Sequence, residues 1–340
     1  MNITRRTVLS RASIAAAGAL AAPLGLRWPA NAAEFAYKYG TALPDGHPMV
    51  IRSKEAAAKI KEESGGRLGI TLYPSSVLGQ DTAMMSQAIA GALEIYGMSL
   101  DILAQKSPSA AIFGVGFAFP DYPTAWKAMD GDLGKYCRTL SEKVGLYCMD
   151  KAFDHGFRQI TMKSKPINTP DDLKGVKIRL PVAPLFISLF QHLGASPTAL
   201  NFGEVYSALQ TGVVDGQENP LILIDTAKLY EVEKYCSVTN HLWAGLHVSF
   251  NNQAWRKLPS DLQEIAYRNL SQAALTERAD WQVMDKGEVK NLTEKGLAFN
   301  TPDTKPFQEA LRKSGFYPDM KKQLGDRVWG LLEKAVGPLA

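Results

Sequence analysis

Cysteine is scarce in this chain: three residues, Cys137, Cys148 and Cys236, stand among 340. They form no C-x-x-C pair and no cluster with histidine, which excludes the usual zinc-ribbon and dithiol-redox patterns. An odd count leaves at least one thiol free unless it pairs between chains. The expectation is three small apolar side chains in the core rather than a Cys137 to Cys148 bridge. The five histidines, His47, His155, His192, His241 and His247, are scattered without metal-ligand spacing, so no metal site is expected. Catalytic signatures are missing too. There is no G-x-S-x-G elbow, no H-E-x-x-H and no phosphate-binding G-x-x-x-x-G-K, and Gly114-Val115-Gly116 lacks the third glycine of a dinucleotide loop. These absences argue against an enzyme and against a resident cofactor. Beyond residue 32, no apolar run approaches the roughly 20 residues that a membrane-spanning helix needs.

Balanced charge is the next feature. The formal net charge is +4, but Arg5, Arg6, Arg11 and Arg27 all lie in the first 32 residues, where there is no acid. The remainder is formally neutral, which removes the electrostatic case for nucleic acid. Those first 32 residues have a basic start, an apolar stretch from Ala12 to Leu26 and a small-residue site at Ala30-Asn31-Ala32. That is the pattern of an export signal, and it falls short of a membrane anchor. Thr4-Arg5-Arg6-Thr7-Val8-Leu9 is twin-arginine-like; Val8 stands where Phe or Leu is commoner, so both the Tat and the Sec routes stay open. The mature chain is expected to begin near Ala33 and to reside in the periplasm.

What remains is 46% hydrophobic and 21% charged over the whole sequence, and long enough for two compact domains. Short apolar runs alternate with helical stretches, the grammar of β-α units and a largely parallel sheet. The spacing predicts strands at Ala36–Gly40, Leu68–Tyr73 and Leu93–Met98, with helices over Pro48–Ser64 and Asp81–Ala90. Gln87-Ala88-Ile89-Ala90-Gly91-Ala92-Leu93-Glu94 has a counterpart in Ala208-Leu209-Gln210-Thr211-Gly212-Val213-Val214-Asp215: in each, a helix stops at glycine and two apolar residues and an acid follow. Two similarly wound domains would aim Met98-Ser99 and Glu218-Asn219 at a shared crevice, where open α/β sheets bind ligands. Near the C-terminus, Ser260 and Gln263 read as a capping box that opens a helix of 25 to 35 residues. It is long enough to lie across both domains.

Few residues stand out as chemistry. Arg179 ends the strand Val176–Leu180 just before Pro181, and its planar fork of donors matches a carboxylate; a surface or interdomain ion pair is the alternative. Arg158, in His155-Gly156-Phe157-Arg158, is a weaker candidate of the same kind. Asn219 either bonds ligand oxygens or shapes a turn before Pro220. His47, beside Pro48, is a candidate for the cleft mouth. Gln80 and Asp81 either face the pocket or serve as loop and cap residues.

Gly175-Val176-Lys177-Ile178-Arg179-Leu180-Pro181, then Gly194-Ala195-Ser196-Pro197, and above all Glu204-Val205-Tyr206-Ser207-Ala208-Leu209-Gln210-Thr211-Gly212-Val213-Val214-Asp215-Gly216-Gln217-Glu218-Asn219-Pro220 resemble the DctP-type solute-binding proteins of TRAP (tripartite ATP-independent periplasmic) transporters. His47-Pro48, Tyr73-Pro74 through Leu78-Gly79 and Thr239-Asn240-His241 fit as well, so the similarity covers nearly all of the mature chain. The resemblance implies an α/β, two-domain, periplasmic-binding-protein-like (Venus flytrap) fold with a long helix spanning both domains. Domain I would comprise 33–155 plus about 244–285, and domain II 156–243 plus about 286–340. It also implies that Arg179 grips the ligand carboxylate bidentately, with Arg158 as a second arginine, Asn219 as a cleft amide and Phe202 as an apolar wall. Trp243 is either a bulky pocket wall or hinge packing. The expected protein is a monomer that binds a small-molecule carboxylate and delivers it to TRAP integral membrane subunits. A ligand-presenting sensor and an exported enzyme acting on organic acids are the rival readings. Family members that bind sialic acid carry asparagine and glutamate where this chain has Ala42 and Ser99, which argues against that ligand. Uronic acids, 2-oxo acids, C4-dicarboxylates and aromatic acids stay open.

Overall fold

A computed structural model describes residues 33–339; the expected export signal, residues 1–32, lies outside them. Two six-stranded sheets organise the chain. The first contains β1 (Phe35–Thr41), β2 (Leu68–Tyr73), β3 (Ile95–Ser99), β4 (Leu146–Cys148), β5 (Phe153–Phe157) and, later in sequence, a nine-residue strand at Trp243–Asn251. The second contains β6 (Gln159–Met162), β7 (Lys177–Leu180), β8 (Ser196–Ala199), β9 (Gly216–Asn219), β10 (Tyr235–Ser237) and a last short strand at Ala298–Asn300. The late strands are β11 (Trp243–Asn251) and β12 (Ala298–Asn300).

The β-α grammar of the sequence accounts for the parallel pairs. β1 runs parallel to β2 and β3, and β7 runs parallel to β8 and β9. Antiparallel strands enter where the chain passes from one sheet to the other: β11 runs against β3, β4 and β5, and β6 runs against β9 and β10. Each sheet thus borrows strands from distant stretches of sequence. Arg158 is the single residue between β5 and β6, and residues 238–242 separate β10 from β11. The two crossings are tied together, because the Arg158 N–H donates to the Leu242 carbonyl at 2.9 Å.

The third crossing is the long helix, Ser260–Glu294, whose 35 residues extend about 50 Å. Leu262, Ala266, Leu270, Ala273 and Ala274 bury its first half against Met49, Ala56 and Ile60 of the helix Pro48–Glu63, beneath the first sheet. Leu292 near its end joins Val205, Leu209 and Cys236 under the second. An unbroken run without glycine or proline up to Gly287 lets one helix bridge both cores. The expected capping box is corrected: Pro259 is the N-cap and Ser260 is already helical. The Gln263 amide donates backward instead, to the carbonyls of Trp255 (2.9 Å) and Leu258 (3.0 Å), and so closes the preceding turn.

The two glycine stops match position for position. Gly91 and Gly212 both take left-handed φ, 82° and 73°, which a Cβ would strain, and each ends a helix that runs into the next strand. β3 begins two residues later than expected, at Ile95, because Ala92 and Leu93 still bond back to the Gln87 carbonyl. No helix among the described residues is long and apolar enough to cross a membrane.

Cys137, Cys148 and Cys236 are free and buried. Burial raises all three thiols above their ordinary range, Cys148 to about 12, so almost no thiolate exists at neutral pH. Titration of the native protein with Ellman's reagent at pH 8 should therefore show no fast-reacting thiol, and in guanidinium chloride all three should react. A single reactive thiol after denaturation would mean that the other two are bridged.

Candidate binding cleft between the sheets

A cavity lies where strand ends of the two sheets face each other. The first sheet and its loops contribute Thr41, Ala42, Leu43, Met98, Ser99, Asp101 and Leu246; the second contributes Arg179, Pro181, Phe202 and Asn219; His155 and Arg158 stand at the crossing between them. The expected convergence of Ser99 and Asn219 on one crevice is thus found.

Arg179 reaches the cavity because β7 is short. Lys177 is exposed at its start, Ile178 packs into the core, and Pro181 ends the ladder just past Arg179. The side chain is only 2% exposed. Its Nε and Nη2 both donate to the Leu200 carbonyl, at 3.0 and 2.6 Å, which fixes the guanidinium plane. The Phe202 ring lies 5.9 Å from Cζ. Nη1 has no hydrogen-bond partner among the described residues. Burial lowers the pKa to about 10, which still leaves the group charged at neutral pH.

Arg158 is equally buried but already matched. Nε and Nη2 donate to Glu218 Oε2 and Oε1 at 2.5 and 2.7 Å, and Nη2 also reaches the Glu218 carbonyl and Asn219 Oδ1, both at 2.8 Å. Glu218 is 0% exposed and also meets His241 Nε2 at 3.1 Å. Burial pushes its carboxyl up, but Arg158 and His241 more than offset this, so its pKa falls below the ordinary value and the group is ionised. Asn219 lines the cavity with its amide committed inward: Oδ1 accepts from Arg158, and Nδ2 donates to Gln217 Oε1 at 2.5 Å.

Asp81 lines the cavity from the N-terminus of the helix Asp81–Ala90. Its Oδ2 accepts from the Phe202 N–H at 3.2 Å, and its Oδ1 lies 3.1 Å from the Tyr96 hydroxyl. Thr82 N–H donates to Asn201 Oδ1 at 3.3 Å. The two sides of the cleft are therefore hydrogen-bonded at this edge. Ser99 donates to Asp101 Oδ2 at 2.5 Å, and Oδ1 of Asp101 is buried without a partner.

Three candidates lie elsewhere. His47 is fully buried behind His155, with ring centroids 5.4 Å apart; its Nδ1 caps the helix Pro48–Glu63 by accepting from Met49 N–H. Proline at the first helical position and a capping acceptor before it explain the His-Pro pair without a ligand. Gln80 precedes the helix Asp81–Ala90 and packs against Gly203, where an added methyl would come within 2.7 Å of its amide oxygen. Trp243 is 1% exposed in the hinge core, packed on Phe113 and Phe119, with Nε1 donating to Asp154 Oδ1 at 3.0 Å. Conversely, Asp101 carried no signal in the sequence, His155 was only one of the scattered histidines, and Glu218 was placed at the shared crevice without its ion pair. Only the pairing of Glu218 with Arg158 across 60 residues of sequence shows which arginine is left without an ion-pair contact.

A family model described as bacterial extracellular solute-binding protein, family 7 (DctP), matches residues 39–317. The chain belongs to this family. It is 32% identical over 297 residues to the C4-dicarboxylate-binding periplasmic protein DctP of Rhodobacter capsulatus, covering 86% of this chain and 85% of that one. An uncharacterised protein of Sinorhizobium fredii is 35% identical over 265 residues, 77% of this chain but only 48% of the relative's length. Among solved structures, a TRAP periplasmic solute-binding protein of Sulfurospirillum deleyianum with bound succinate superposes with a TM-score of 0.84 at 28% identity, covering 89% of this chain and 99% of that one. A sugar-acid-binding protein of Advenella mimigardefordensis in complex with galactonate reaches 0.84 at 26% identity, over 88% and 97%. The two-lobed α/β fold and its long helix are shared with this DctP-family group.

Glu218→Gln removes the counter-ion from a buried guanidinium. Such a change should lower stability in urea unfolding at pH 7 by about 3 kcal/mol. Because the folded carboxyl titrates below its unfolded value, its stabilisation is complete above the unfolded pKa and is lost as the pH falls through the folded one. The gap between wild type and variant should therefore close in acid; a gap that widens there would reject this assignment.

Proposed function

We propose that this DctP-family protein is the periplasmic solute-binding component of a TRAP transporter, and that it holds a small organic acid by its carboxylate on Arg179. One observation carries the reading. Of two buried arginines in the cleft, Arg158 is ion-paired to Glu218, whereas Arg179 has no ion-pair partner and bonds only a carbonyl; Nη1 is unbonded in both. A dehydrated guanidinium held in one plane is a receptor for an anion, and its attraction is far stronger there than in bulk water. Phe202 and Asn219 then act as wall and positioning residue. Ser99 and Asp81 complete the first-lobe side, and Arg158 lends positive potential.

Residues 33–155 with about 244–285 form one lobe and 156–243 with about 286–340 the other. Closure between them excludes water and presents the loaded form to the membrane subunits, where the solute is released. Membership of a solute-binding family supports binding rather than catalysis. Export through the signal in residues 1–32 fits a carrier that meets its solute outside the cytoplasm.

Arg179→Ala should weaken binding of the acid about 100-fold or more by isothermal calorimetry, and Arg179→Lys should fail to restore it, since an ammonium offers no planar fork. Near-normal affinity in both variants would overturn the carboxylate assignment.

A further inference from the structure

The helix Asp81–Ala90 starts without a cap of its own. The first backbone N–H groups of any helix find no partner inside it, and Gln80, which stands where a capping side chain belongs, makes no capping hydrogen bond. Asparagine, aspartate, serine or threonine usually fills that role. Here an asparagine does, but from across the cleft. The helix packs on β1 and β3 of the first sheet, and its Thr82 N–H donates to Oδ1 of Asn201, on the second-sheet side, at 3.3 Å. Glu204 orients that side chain: its Oε2 accepts from the Asn201 N–H at 3.1 Å and from Nδ2 at 3.4 Å, which leaves Oδ1 turned toward the helix.

The exchange is mutual. Phe202 opens the short helical turn Phe202–Glu204, and its N–H donates to Asp81 Oδ2 at 3.2 Å. One residue further out, Gly203 meets Gln80. Gly203 is not in the left-handed region, so its own backbone does not demand glycine. The nearest atoms to an added methyl would all belong to the Gln80 amide, at 2.7 to 3.3 Å, so it is the approach of the two sides that requires a small residue there. Residues 80, 81 and 82 therefore face 203, 202 and 201 in antiparallel order. The seam is continuous with the cleft, because Asp81 and Phe202 line the cavity and Leu200, next to Asn201, supplies the carbonyl that fixes Arg179. Drawing the sides apart breaks both hydrogen bonds and leaves both helix starts uncapped.

We infer that residues 80–82 and 201–203 form a closure latch, in which reciprocal helix capping across the cleft favours the closed arrangement of the two lobes. Asn201 is a positioning residue that acts through Thr82 and Phe202 without touching the solute. This deepens the proposed function: it rests on lobe closure and is independent of which acid is held.

The test needs no solute. In the mature protein carrying Gln80→Cys and Gly203→Cys, the amide that would obstruct a side chain at 203 is gone, and dibromobimane, which fluoresces on bridging two neighbouring thiols, should join the pair. The parent protein should stay dark, since its three thiols are buried. Adding Asn201→Ala should slow bridging about five-fold, the effect of one hydrogen bond on the closed population. Asp81→Ala should slow it similarly, whereas Asp81→Asn, which keeps an acceptor oxygen for the Phe202 N–H, should bridge at nearly the parent rate. Equal rates with and without Asn201, or an Asp81→Asn rate as slow as that of Asp81→Ala, overturn the latch and leave lobe closure standing. No bridging at all overturns both. Should the cysteine pair fail to fold, amide hydrogen exchange decides: Asn201→Ala should speed exchange at the Phe202 N–H, whose own bond it leaves in place, and an unchanged rate there overturns the latch.

Discussion

A buried positive charge that no carboxylate of the protein contacts directly is the constraint around which this molecule is arranged. Taking a guanidinium out of water is expensive, and the expense is offset only by hydrogen bonds and a counter-charge. Arg158 obtains both inside the protein, from Glu218 and Asn219. Arg179 obtains one carbonyl acceptor, that of Leu200, and an aromatic face. The difference between the two arginines is what turns a crevice into a receptor, since an anionic guest supplies what the fold withholds.

The fold serves that difference by placing both arginines where the chain changes sheets or ends a strand. Arg158 is the lone residue between β5 and β6, so it belongs to neither sheet, and its backbone is tied to the other crossing at Leu242. Around it, Asp154 gathers the indole N–H groups of Trp126 and Trp243, and Glu277 of the long helix accepts from the Asp154 N–H at 2.8 Å. Burial raises the Asp154 carboxyl to about 7. The hinge therefore consists of buried polar groups with directional partners, which holds the two lobes in a defined relation better than apolar packing alone.

The legible part of the site was the part that obeys local rules. Arg179 could be found because a strand, a proline and a charged residue on the polar phase occur within five positions, and Asn219 because it precedes Pro220 at a strand exit. The two glycine stops were readable for the same reason, since only glycine takes the left-handed turn cheaply. His47, Gln80 and Trp243 were candidates by neighbourhood, and their neighbourhood explains them differently: a helix cap, a packing contact with Gly203, and a hinge hydrogen bond. Asp101 and His155 gave no signal, because an acid two residues after a serine or a histidine before a glycine looks the same in a cap, a turn or a cleft.

From the amino-acid order alone came the fold class, the export signal, the approximate elements, the family resemblance and the arginine most suited to a carboxylate. Those follow from periodicity, capping and turn chemistry, which act over a few residues. Only the tertiary structure decided which arginine is neutralised, because Arg158 and Glu218 are 60 positions apart and meet through antiparallel pairing of β6 with β9. It likewise decided that Asp101 stands in the cavity wall with one oxygen unmatched. Charge compensation is a property of what lies within a few ångströms in space, and distance along the chain does not encode it.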